Sequence, residues 1–388
     1  MYIILKIGVF LMNILYLLFK LFPTKNKITF ISRQSDSINI DFKLIMDEIN
    51  KEQPSVKVVA LCKKIKTGLL SKIKYIFHMF VQMYHVATSK VVVLDSYCIV
   101  VSCLKHKKIL KVVQMWHAMG AFKKFGYSIL DKDEGHSSKI ASLMKMHNNY
   151  DYVFCSSNAC ILPFAEAFNI SCDKVKVFPL PRVDLLKSDK YKKEKKSSLY
   201  SKYPILKGKK NILYAPTFRK NVDVSLQINE LIKKVDYSKY NLILKLHPLV
   251  ENSYSFDAKE GLIIDKGIST FDFSFVSDYI ITDYSATIFE LMLLEKPIYF
   301  WTFDLDEYVN ERDFYLDYTK DIPGVKQSNI NIILKDIDNC VFDIKKQKTF
   351  IDKYVYGGYN SNTYEISKFL LKLLSLWYNR CDWRDLDD

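Results

Sequence analysis

The sequence predicts an α/β chain of two Rossmann-like domains, and three features carry that prediction. Short runs rich in Val, Ile and Tyr alternate with longer amphipathic runs, the pattern of a mostly parallel, doubly wound sheet. A length of 388 residues with 49% hydrophobic residues provides material for two cores of ordinary size. Three successive apolar runs of the second half each end in a set of polar residues, and parallel strands bring such ends to one rim.

In chain order, Met1–Phe22 is apolar but interrupted by Lys6, Asn13 and Lys20. Its length allows a spanning helix, while the interruptions favour a segment lying on a membrane surface or packed as the first helix of a domain. No small-residue cleavage site follows it. Residues 1–25 are therefore taken as a membrane-associating segment and 26–186 as the first domain. Strands are expected at Lys27–Ser32, Val56–Leu61, Val91–Leu94, Val112–Met115, Tyr150–Ser156 and Lys174–Pro179. Helices are expected at Asp41–Asn50 and over the basic stretch Lys63–Ala87, where Lys63, Lys64, Lys66, Lys72 and Lys74 flank Leu69, Leu70, Ile73, Ile76 and Phe77. The Lys- and Ser-rich stretch 187–210 reads as a surface linker. A second domain spans 211–378, with strands at 211–215, Leu242–Leu246, Tyr279–Thr282 and Ile298–Trp301.

Composition narrows the partners. There are 57 Lys+Arg against 43 Asp+Glu, a formal charge of +14. That surplus suits an anionic membrane surface or a phosphate-rich substrate; no nucleic-acid recognition motif accompanies it. The 8 cysteines form no C-x-x-C pair, and Cys98/Cys103 and Cys155/Cys160 do not match structural zinc spacings. No carboxylate cluster is built to clamp a metal, so neither metal nor cofactor is expected.

The polar sets at the strand ends carry the chemistry. His117 follows the strand at 112–115, a position from which an imidazole serves as acid or base near neutral pH. Lys123 and Lys124 follow in the same loop as candidate acceptor or phosphate contacts. In the second half the ends carry Thr217 with Arg219, then His247 after Lys245, then Asp283, Ser285, Ala286 and Thr287. The pattern Thr287-x-x-Glu290 reads as a capping box opening a helix over 287–295, whose N-terminus would offer N–H groups to a phosphate. An Arg such as Arg219 can grip phosphate oxygens with two prongs.

The stretches QMWHAMGAFKKFGYS, LYAPTFR, LKLHP and ITDYSATIFELMLLEKPIYFW resemble, in order, the bacterial CDP-glycerol glycerophosphotransferase family of teichoic acid primases and polymerases. A further stretch from Phe303 through Tyr308, Arg312 and Tyr315 to Gly324 is similar. Three positions depart from the family pattern: Ala118 and Ala286 replace Gly and Ser, and Asp313 replaces Gly. The resemblance implies a GT-B fold of two Rossmann-like domains with the nucleotide donor held mainly by the second. It implies transfer of glycerol phosphate from CDP-glycerol, or ribitol phosphate from CDP-ribitol, to a lipid-linked saccharide or polyol-phosphate acceptor at the cytoplasmic face of the membrane, with release of CMP. His117 and His247 would be the functional histidines; Thr217, Arg219, Lys245, Asp283, Ser285, Ala286 and Thr287 would surround the donor. The competing readings are a GT-B glycosyltransferase using a nucleotide sugar and a membrane-bound interaction protein without activity.

Overall fold

Strand β1 (Lys27–Ser32) is buried along its whole length, as a strand covered on both faces by helices must be. In the computed structural model, which describes residues 2–132, 135–219, 223–247, 250, 254–311 and 313–375, it sits inside a six-stranded parallel sheet. Pro248, Arg312 and positions 376–378 lie outside the described residues. The other strands of this sheet are β2 (Lys57–Cys62), β3 (Val91–Leu94), β4 (Lys111–Gln114), β5 (Tyr152–Cys155) and β6 (Val175–Val177). Their order is β2-β1-β3-β4-β5-β6, with every neighbouring pair parallel.

A second parallel sheet is formed by β7 (Lys210–Tyr214), β8 (Tyr240–Leu244), β9 (Leu262–Ile264), β10 (Tyr279–Thr282), β11 (Ile298–Trp301) and β12 (Val325–Gln327). Its order is β12-β11-β10-β7-β8-β9. Trp301, Tyr299, Ile281, Leu242 and Ile212 share one buried cluster, and Leu213, Ile243 and Phe273 another. The chain divides into two units: residues up to Asp184 with those from Tyr356 onward, and Leu185–Val355.

Two boundaries differ from the sequence reading. The stretch taken as a linker is mostly helical, with a helix at Asp189–Lys202 whose N-cap Ser188 accepts the Tyr191 N–H, followed by a turn at Pro204–Lys207. Leu199 and Leu206 anchor it in the core of the second unit, so its many lysines mark one solvated face rather than a flexible tether. The helix Asn362–Ser375 falls within the sequence bounds 211–378 of the second domain, although the sequence left open its packing against the first, and it packs in the first unit. Asp184 accepts the Asn362 and Thr363 N–H groups at 2.9 and 2.8 Å, satisfying two of the orphan donors at the helix start. Phe369 then meets Tyr152 and Phe154 edge-on.

The N-terminal segment forms helix α1 (Tyr2–Lys20). No described helix is long and apolar enough to cross a membrane. The interruption at Asn13 has a structural use: its amide donates to the Cys103 carbonyl and its oxygen accepts the Lys105 N–H. Tyr16, buried on the same side, bonds His106 at 2.9 Å. The opposite face leaves Ile3, Ile7, Phe10, Leu11, Ile14, Leu17 and Leu18 exposed. Helix α2 (Ile40–Glu52) begins at Asn39, which caps Phe42. Helix α3 (Leu69–Ala87) lies beside α1 and exposes Leu69, Leu70, Ile73, Ile76 and Phe77.

Candidate active site

Each sheet has a topological switch point, where connections from one central strand run to opposite sides and open a crevice beyond the carboxyl ends. In the first sheet it lies between β1 and β3; in the second, between β7 and β10. The polar residues singled out in the sequence follow these strands or their immediate neighbours.

In the first unit, β4 ends at Gln114, whose side-chain oxygen accepts the Trp116 N–H at 2.9 Å. Trp116 adopts φ 60°, a left-handed conformation rare for a bulky residue. Its ring is held against Phe125, stacked at 5.0 Å, and against the edge of Phe168. The strained turn delivers His117, half-buried, to the strand end. Ala118 needs no positive φ, so its methyl group imposes no backbone strain. The Ser156 hydroxyl donates to the Met119 carbonyl and ties the loop to β5.

His117 Nδ1 lies 2.9 Å from the backbone carbonyl of Asp95, at the end of β3. A carbonyl only accepts, so Nδ1 carries the proton and Nε2 is left with the lone pair. Burial lowers the pKa of His117; the carbonyl bond and the charge of Asp95 oppose that shift, and Arg182 adds to it. The ring is thus neutral and basic at Nε2 under ordinary conditions. The Asp95 carboxylate is buried and accepts from Ser96 and Asn39 at 2.8 and 2.9 Å. Burial raises its pKa, partly offset by hydrogen bonds from Ser32, Ser96 and Asn39 and by His117. Lys123 and Lys124 are half-buried farther along the loop. Gly126 (φ 59°) ends that loop against the Ala167 carbonyl, where a Cβ would not fit.

In the second unit, Thr217, Arg219, Asp283, Ser285, Ala286 and Thr287 are brought together at the β7/β10 switch. Their roles differ from the sequence reading. Arg219 is buried and gives Nε and Nη2 to Asp304 at 2.5 and 2.9 Å, and Nη1 to Asp283 at 2.8 Å. Its guanidinium also lies over Phe303, 4.8 Å from the ring centroid. Burial works against the charge, but the bonds to Asp304 and the charges of both aspartates outweigh it and raise the pKa above its ordinary range. The two-pronged grip expected on phosphate is therefore made on Asp304. Asp283 likewise faces inward, accepting the Thr217 N–H at 2.8 Å. These residues lock the loops after β7, β10 and β11 to one another.

Lys245 also departs from expectation: its ammonium donates to the carbonyls of Asp265 and Lys266, at 3.0 and 3.4 Å, and so braces the end of β9. The expected helix over 287–295 is one short turn, Ile288–Met292, and the capping box does not form. Thr287 already has helical backbone angles (φ −66°, ψ −9°), and its hydroxyl pairs with Ser285 Oγ at 2.8 Å. Ser285, Ala286 and Thr287 remain half-buried at the rim. His247 is exposed beyond β8, its ring 5.4 Å from that of Phe218. Nearby, Leu244, Leu246, Tyr254, Phe256 and Ile264 line a recess of about 210 Å³ closed by Asp265 and Lys266. Sequence reasoning missed Asp304, Tyr284 and Asp95. Tyr284, whose hydroxyl donates to Asp304 at 3.0 Å, and Asp304 itself both stood inside quoted motifs and could have been found there.

Two parallel sheets with polar loops at their switch points define an α/β protein of the ligand-binding, doubly wound class. Residues 14–361 match the family model of CDP-Glycerol:Poly(glycerophosphate) glycerophosphotransferase, and the chain belongs to that family. It is 31% identical over 369 residues to the teichoic acid ribitol-phosphate primase of Bacillus spizizenii, covering 92% of this chain and 94% of that one. It is 28% identical to the teichoic acid glycerol-phosphate primase of Bacillus subtilis, covering 87% and 91%. Its fold is similar to that of the wall teichoic acid polymerase TagF, with TM-score 0.75, 19% identity and 95% of each chain covered.

Two measurements check these assignments. Arg219→Ala leaves two buried carboxylates facing each other and should destabilise the second unit by about 3–5 kcal/mol in urea denaturation. Since the base form of His117 persists below the ordinary histidine pKa of 6.5, the acidic limb of the pH–rate profile should fall below that value and vanish in His117→Ala.

Proposed function

We propose that this chain transfers an alditol phosphate from a CDP-alditol to a hydroxyl of a membrane-linked acceptor, in the synthesis of teichoic acid or a capsule-like polymer, with release of CMP. The observation that carries the reading is the His117 ring, pinned through Nδ1 so that Nε2 is the proton acceptor at a strand end. The acceptor oxygen attacks the alditol-bearing phosphorus, its proton passes to His117 Nε2, and the bond to the CMP phosphate breaks with its electron pair leaving on CMP. A positioned base of this kind contributes about 10²–10⁴ in rate.

The donor is assigned to the second unit. The half-buried hydroxyls of Ser285 and Thr287 offer hydrogen bonds to its phosphates, and the exposed His247 ring stabilises the departing CMP. The recess beside β8 and β9, apolar with a polar floor, suits a pyrimidine base. Arg219 and Asp283 position the loops rather than touch the donor. Lys123 and Lys124 lie on the loop assigned to the acceptor, as cationic contacts for its phosphates. Needing no metal clamp in this scheme, the reaction should survive a chelator.

Glycerol is the alditol favoured by the family motif reading. Ribitol is the second reading, supported by 31% identity to a ribitol-phosphate primase of similar length. The reading extends to attachment at the inner face of the bacterial membrane, supported by the exposed apolar faces of α1 and α3 and the exposed Lys64, Lys66, Lys72 and Lys74 that flank them.

The reaction is tested by incubation with a lipid-linked acceptor and CDP-glycerol, CDP-ribitol or nucleotide sugars. CMP should appear with a CDP-alditol; turnover of nucleotide sugars alone would overturn the reading. The attachment is tested by sedimentation with vesicles containing phosphatidylglycerol. The pair Phe10→Asp and Phe77→Asp should release the protein to the supernatant, and undiminished binding would refute attachment through these helices.

A further inference from the structure

Three arginines lie among the described residues, and two of them give their forks to aspartates. Arg219 binds Asp283 and Asp304, and Arg182 binds Asp41 through Nε at 2.9 Å and through Nη2. Arg33 is the exception. It follows β1 directly, at the β1/β3 switch point of the first sheet, and its backbone N–H donates to Ser96 Oγ at 3.2 Å. Its Nη1 donates to the Tyr97 carbonyl at 2.8 Å, and its guanidinium lies 5.7 Å from the Tyr97 ring centroid. Nε is buried and has no hydrogen-bond partner among the described residues.

The first carboxylates after β1 and β3 are otherwise engaged. Asp36 is held by Lys66 at 2.8 Å, and Asp95 accepts from Ser96 and Asn39. A half-buried guanidinium with no ion pair among the described residues and a buried N–H left over is costly in an isolated protein. The accessible part of this guanidinium can meet an anion with several acceptor oxygens, and phosphate suits it in shape and charge. The position is also the one where an open α/β sheet takes its ligand. Gln34, the next residue, places its amide nitrogen 3.4 Å from His117 Nδ1, so Arg33 and the base belong to the same strand-end cluster.

We propose that Arg33 binds a phosphate group of the acceptor, next to the hydroxyl that His117 deprotonates. The proposal rests on the transfer reaction above and assigns the acceptor side of it. It makes Arg33 a specificity determinant: acceptors carrying a phosphate close to the nucleophilic hydroxyl are selected over neutral polyols or saccharides. The donor diphosphate offers the same oxygens, and the experiment separates the two sources.

Initial rates are measured for the wild type, Arg33→Gln and Arg33→Lys with a CDP-alditol and two synthetic lipid-linked acceptors, one ending in glycerol phosphate and one in an uncharged glycerol. Loss of a charge-assisted bond should raise KM for the phosphate-bearing acceptor about tenfold to a hundredfold in Arg33→Gln. Arg33→Lys, which keeps the charge but not the fork, should fall between. KM for the donor should stay within about twofold, and the preference for the charged acceptor should disappear. An unchanged acceptor KM, or a rise confined to the donor, overturns the proposal. Wild-type CMP release is measured in the same series, so a failure of the reaction itself is recognised separately. Should Arg33→Gln not fold, Arg33→Lys alone decides by the ratio of its two acceptor KM values.

Discussion

A parallel sheet delivers the carboxyl end of every strand to one edge, and that constraint determines where chemistry can occur in this chain. Among the described residues neither six-stranded sheet contains an antiparallel pair. Each has one central strand from which the topology runs both ways. The strands themselves are buried and apolar, so polar groups that must meet a ligand can only stand where the strands stop. His117, His247, Thr217 and Ser285 all occupy such positions, far apart in sequence but following the same rule.

Within that rule, two kinds of strand-end residue must be told apart. Some face inward and hold loops together. Arg219 joins the loops after β7, β10 and β11 through two aspartates, and the arrangement stabilises only as a complete set. Lys245 braces a neighbouring strand in the same manner. Others, such as His117, Ser285 and Thr287, keep polar atoms toward the rim. The strained backbone at Trp116 belongs with this second group, since a residue at φ 60° persists only where its surroundings over-determine it.

Much of the fold was legible because buried parallel strands are continuous apolar runs; β1, β3, β10 and β11 fall where Lys27–Ser32, Val91–Leu94, Tyr279–Thr282 and Ile298–Trp301 were read. Strands β9 and β12 were not read: each has three residues and is bounded at once by glycine and a polar residue (Gly261 and Asp265, Gly324 and Ser328), whereas the equally short β6 runs on into Phe178. The residues of the candidate site were legible as positions but less so as roles. Asp304 lies 85 residues from Arg219, so nothing local announced that the guanidinium was already taken. Thr287 matched a capping signature, yet a hydroxyl two residues away offered it a closer partner. The sequence did not show where the terminal helix packs, because its partner, Asp184, lies 178 residues upstream of Asn362.

The docking of α1 has a mechanical consequence. Asn13 and Tyr16 fasten this helix to the segment from Cys103 to His106, which leads directly into the amino end of β4. The imidazole of His117 stands past the other end of that four-residue strand, three residues beyond Gln114. A helix held flat on a lipid surface would thus be coupled to the base by a stiff rod. A displacement of α1 would therefore be passed along that strand to the loop that carries His117.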